Sequence, residues 1–152
     1  MRAAVALGAL LVGPLAAACD DPLTPAEIVG QYTLRDEDGR SLPRLLSATL
    51  NCDVFLTGGV LDLNEDKSFA LDLYQQIDCS RAGGPVQAAG RTYPGTFTLS
   101  GHTIEFTTPR LGQQPMTFSG TVSGGTVRLL IIDPDVSASG QLKPTLQRLI
   151  RY

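Results

Sequence analysis

From Gly30 onward, apolar and polar residues alternate with a period of two, the spacing that buries one face of a strand. Gly30-Gln31-Tyr32-Thr33-Leu34-Arg35 reads as a first strand, closed by the turn Asp36-Glu37-Asp38-Gly39, where Asp-Gly is the strong signal. A second strand is expected over Leu42 to Leu50, with Pro43 at its start or on an edge. Facing Leu63 with Phe69 sets Leu61 opposite Leu71 and leaves Asn64 to Ser68 as a turn. Further on, Phe97 and Leu99 face Ile104 and Phe106 across Gly101-His102. Phe118 and Val122 face Val127, Leu129 and Ile131 across Gly124-Gly125. The stretches Ser80–Ala89, Pro109–Pro115 and Asp133–Gly140 read as connections. Leu142, Leu146, Leu149 and Ile150 fit a helical stripe, but Pro144 and the short length favour a last strand from Thr145. The expectation is an all-β chain, an antiparallel up-and-down meander of eight or nine strands closing into a small barrel.

The cysteines sharpen one hairpin. In the Leu63–Phe69 register, Cys52 and Cys79 miss each other by one residue. Gly58-Gly59 lies inside the first arm, where glycine marks a bulge. One extra residue there brings Cys52 opposite Cys79 and turns Leu50, Val54 and Leu56 onto the face of Leu61 and Leu63. A Cys52–Cys79 disulfide and an oxidising compartment follow.

The start of the chain has a different character. Arg2 is followed by the apolar run Ala3 to Leu15 and by Ala16-Ala17-Ala18, an export signal too short to span a bilayer as a mature helix. Leu15-Ala16-Ala17-Ala18-Cys19 resembles a bacterial lipobox, in which signal peptidase II cleaves before a cysteine that becomes diacylglyceryl-modified. Ordinary cleavage after Ala18 is the alternative, and the odd cysteine count leaves Cys19 over for lipidation. The domain reading is therefore a signal peptide over 1–18, a lipidated tether with a short helical turn over 19–28, and a barrel over 29–152. In that turn Thr24 is the cap, Pro25 the first helical residue and Glu27 three after the cap. Cleavage lowers the basic count from 12 to 11 against 15 acidic residues, a net charge of −4 on 134 residues. A mildly acidic domain without a basic patch is a poor partner for nucleic acid.

Taken together the chain resembles the lipocalin-like lipoproteins that bacteria export. The residues that carry the likeness are Cys19, Gly30-Gln31-Tyr32, Asp38-Gly39, Leu61-x-Leu63-Asn64-x-Asp66-x-x-Phe69, Gly95-Thr96-Phe97-Thr98-Leu99-Ser100-Gly101 and Phe118-Ser119-Gly120-Thr121-Val122-Ser123-Gly124. Lipocalins proper open with Gly-x-Trp and pack a last-strand arginine over the tryptophan. Here Tyr32 takes the aromatic place, with Arg148 or Arg151 as the cationic partner. The resemblance implies a closed or nearly closed barrel, attachment to the cell envelope and, by fold analogy, binding of small apolar molecules.

Candidate chemistry is sparse. His102 sits in a tight turn, and no nucleophile, base and orienting group assemble around it, so no enzymatic activity and no cofactor are expected. The acidic groups Asp36/Glu37/Asp38, Asp62/Glu65/Asp66 and Asp133/Asp135 lack a full loop of calcium ligands and read as solvated turns. The inward apolar set also includes Leu73. It either fills the barrel or leaves room for one small ligand, which would meet Leu61, Leu71, Phe97, Phe106, Phe118 and Leu129. Gly120, on the inward parity, is where spare room is expected. The partners expected are a membrane, through the anchor, and a small hydrophobic ligand or none; the chain is expected to be monomeric.

Overall fold

The computed structural model describes residues 22–133, 139 and 141–149. The signal segment, Cys19 and Arg151 lie outside the described residues. A single turn of helix, α1 (Pro25–Ile28), is followed by β1 (Gly30–Glu37), β2 (Arg40–Ser41), β3 (Arg44–Ala48), β4 (Asp53–Leu63), β5 (Ser68–Asp78), β6 (Val86–Ser100), β7 (Thr103–Thr108), β8 (Met116–Ser123), β9 (Thr126–Ile132), β10 (Gln141–Leu142) and β11 (Pro144–Arg148). The order β1-β11-β9-β8-β7-β6-β5-β4 returns to β1 through an additional β1–β4 pairing, giving a closed antiparallel barrel of eight strands. β3 extends the β4 edge beyond the closure, where Arg44 pairs with Leu56 and Ala48 with Asp53.

The registers follow the hydrophobic pattern. Leu63 lies opposite Phe69 and Leu61 opposite Leu71. The register then shifts between Leu56 and Gly58, so Thr57 is the extra residue and Val54 meets Ile77. Phe97 faces Phe106, Leu99 faces Ile104, and Val122 faces Val127. Gly124 and Gly125 both have positive φ, 55° and 75°, as a two-residue turn matched to twisted strands requires. At the β4–β5 turn the left-handed position is held by Lys67, with φ 65°.

Three expectations change. The segment Ser80–Ala89 is not one loop, because β6 begins at Val86 and pairs with the whole of β5, from Asp78↔Val86 to Ser68↔Thr96. Its small residues hide a strand that backbone pairing holds. The second strand is broken into β2 and β3 around Pro43, which has no N–H to donate to a ladder. Leu50 lies beyond β3, fully exposed rather than inward. The last segment is a strand, from Pro144, as Thr145 onward suggested.

The two ends of the barrel differ. One, the turn end, carries Asn64–Lys67, Gly101-His102, Gly124-Gly125 and α1. The other, the disulfide end, carries the Cys52–Cys79 bridge and the longer connections 79–85 and 109–115.

Candidate functional site

At the turn end the chain is locked by local chemistry. Glu27 accepts hydrogen bonds from the Thr24 N–H (2.6 Å) and hydroxyl (2.7 Å), completing the first turn of α1. Ile28 is buried, and its carbonyl accepts the Tyr32 hydroxyl at 2.7 Å. Tyr32 lies opposite Arg148 in the β1–β11 ladder. The Arg148 guanidinium donates to the carbonyls of Glu27 (2.9 Å) and Val29 and lies against Gly30, where a Cβ would stand 3.1 Å from Nε. Gly30, at φ 143°, is therefore required twice, by its conformation and by the arginine over it. Burial pushes the Tyr32 phenol above its ordinary value, while the Arg148 charge opposes that rise. Of the two arginines expected beside Tyr32, Arg148 takes the position.

The interior is a continuous apolar core. Leu61, Leu71, Phe97, Phe106, Phe118 and Leu129 are each at most 5 % exposed. Phe106 stacks on Phe118 at 4.8 Å between ring centroids, and Phe69 meets both edge-on at 4.7 and 5.8 Å. Gly120 does not leave room. A Cβ there would stand 2.4 Å from the Arg128 carbonyl oxygen and 2.7 Å from Leu129 Cδ2, so the neighbouring strand and Leu129 already occupy that space. Gly95 permits an equally close passage, its Cβ position lying 1.9 Å from the Thr107 oxygen. Clefts of about 160 to 430 Å³ open on the surface of the described residues. Of the six candidate ligand residues, Leu129 borders one of these, on the outer wall between Asp38, Leu130 and Lys143.

Near the disulfide end four residues distant in sequence converge. Asp133, 2 % exposed, accepts the Tyr93 hydroxyl at 3.1 Å and Arg110 Nη2 at 3.3 Å, with Arg91 Nη1 3.8 Å away. Arg110 also reaches Met116 Sδ at 3.0 Å. Asp133 is thus a buried, paired carboxylate and not a solvated turn residue; Asp135 lies outside the described residues. Burial, then the Asp133 charge and hydrogen bond, pushes Tyr93 up to about 12. The phenol stays protonated at neutral pH and acts as a donor, which argues against its serving as a base. Thr108, 5 % exposed, has a buried hydroxyl without a hydrogen-bond partner. The arginine side chains keep about a third of their surface exposed at this mouth.

The remaining candidates fall apart from one another. His102 is exposed in its turn, with Nδ1 3.2 Å from the Val122 carbonyl oxygen. Glu37 accepts from Arg44 and from the Lys143 N–H, Asp36 from the Gly39 N–H, Asp62 from Gln31, and Asp66 from Ser68. Cys52 and Cys79 are bridged, with an S–S distance of 2.02 Å. On the outer wall nearby, Leu45 lies across from Phe55, and a cleft of about 380 Å³ is lined by Leu42, Pro43, Phe55, Thr57, Gln76 and Asp78. Among the described residues no strand pairs with the second edge of β6 from Val86 to Gly95, since β7 joins it only from Thr96.

No protein-family model, curated protein or solved structure matches this chain.

Proposed function

We propose that this chain is an exported lipoprotein, held at the cell envelope by a lipidated Cys19, whose barrel is a scaffold for contacts made on its outside rather than a carrier or an enzyme. The observation that carries the reading is the Phe69–Phe106–Phe118 cluster, which sits among the very side chains a ligand would need to meet. An eight-stranded barrel is at the size where its own side chains suffice to fill it. The disulfide supports passage through an oxidising compartment, and the lipobox-like run supports the anchor.

Two measurements on the purified full chain test it. Cys19→Ser is expected to move the protein from the detergent phase to the aqueous phase; unchanged partitioning would remove the anchor from the reading. Native mass spectrometry and fluorescent fatty-acid titration are expected to show no bound apolar molecule. Saturable uptake of one equivalent would instead favour a ligand site at Leu61, Leu71, Phe97, Phe106, Phe118 and Leu129.

A further inference from the structure

We propose that the turn end of the barrel faces the bilayer that holds the anchor, and that the disulfide end is turned away from it. The inference rests on the lipidated Cys19 of the preceding section and adds to it the partner surface and its orientation.

Leu23 packs against the buried core and α1 is fixed behind it by the Tyr32 and Arg148 contacts, so the point where the chain leaves the barrel is held. Three residues, Asp20, Asp21 and Pro22, lie between Cys19 and Leu23, so four Cα–Cα steps span at most about 14 Å. β4 and β5 each run for 11 residues from one end of the barrel to the other. At about 3.3 Å per residue and a tilt near 40° they give a barrel about 28 Å high. A lipid on Cys19 therefore keeps α1 beside the membrane surface, while the far end lies at about twice the reach of the tether.

The surfaces fit this assignment. The turn end is formed by connections of two and four residues, so nothing long stands between the barrel and a flat surface. The disulfide end carries the seven-residue connection 109–115, with Leu111 fully exposed, and the cleft beside Phe55. The orientation leaves this longer connection and cleft on the side away from lipid.

The chain contains no tryptophan, so a single introduced one reports its own surroundings. His102→Trp and Ser123→Trp place it at the turn end, and Leu111→Trp at the disulfide end; all three positions are exposed. The acylated full-length variants are reconstituted into phosphatidylcholine vesicles with and without a nitroxide on the lipid headgroup. Severalfold stronger quenching of H102W and S123W than of L111W is expected. Equal quenching at both ends, as in a barrel lying on its side, or stronger quenching of L111W overturns the orientation. Flotation of each sample with the vesicles is measured first. A chain that does not float refutes the anchor, whereas one that floats with the wrong quenching order refutes only the orientation. Two turn-end reporters guard against one substitution disturbing its own turn, and circular dichroism confirms the fold of each.

Discussion

Tyr93 donates its phenolic hydrogen to a carboxylate buried beneath it, and this has a consequence in alkaline solution. Its folded-state value, about 12, lies above the ordinary 10.0, so between those values the folded chain keeps a proton that the unfolded chain has lost. Stability from this group is complete below pH 10 and declines as pH rises toward 12. Tyr32 is displaced in the same direction. Phenolate absorbance is expected to show Tyr93 and Tyr32 ionising late, and urea midpoints to fall across pH 10 to 12. Tyr93→Phe is expected to cost about 1 kcal/mol at neutral pH, the loss of one hydrogen bond, and to flatten the alkaline decline. An unchanged slope in Tyr93→Phe would show that the phenol is not held as described. None of this was legible in the sequence. Arg91, Tyr93, Arg110 and Asp133 are brought together by strand order and the approach of β9 to β6, which periodicity does not encode. Gly120 failed for a related reason, since a missing Cβ reveals that something comes close, not whether it is a void or a neighbouring carbonyl.

The β4–β5 hairpin is the element whose geometry the sequence specified most fully. Alternation fixed the inner register through Leu63 and Phe69, and the cysteine offset demanded one extra residue near Gly58-Gly59; the bulge falls at Thr57. By contrast, the first half of β6 was hidden because Ala88, Ala89 and Gly90 carry no strand signal of their own and are ordered by pairing with β5. The outer end of this hairpin is also where it is weakest. Asp53 and Asp78 stand directly opposite each other, and like charges so placed oppose pairing. Arg81 binds Asp53, and Asp78 accepts the Ser80 N–H at 2.9 Å, but the covalent bridge holds the strands together. Cys52→Ala with Cys79→Ala is expected to lose about 3.5 kcal/mol by the loop-entropy argument. Amide exchange should accelerate at 53–56 and 75–78 but not at 60–63 and 69–72, where β1 closes the barrel. Uniform acceleration along both strands would mean that the bulge does not separate the two halves.

At the scale of the molecule, the fold class, the up-and-down order and most inward positions were legible because period-two alternation and tight turns leave few ways to close such a chain. Whether the barrel encloses space was not, because a lining and a filling use the same residues. The structure places Phe106 at the centre of the question, 0 % exposed, in contact with Phe69, Phe97 and Phe118. If these rings are core, Phe106→Ala should cost about 3 to 5 kcal/mol and leave an apolar cavity. A dry cavity of that kind takes up small apolar molecules without adding a polar contact. The expected pair of results is a native chain that binds no benzene or xenon and a Phe106→Ala chain that binds one and regains part of its lost stability in its presence. Binding by the native chain at the same site would show that the rings part readily, and the barrel would then be a carrier with its pocket closed. Binding by the variant alone would place this protein among barrels whose wall is shared with ligand carriers but whose interior is used for stability, leaving recognition to the outer surface and the disulfide end.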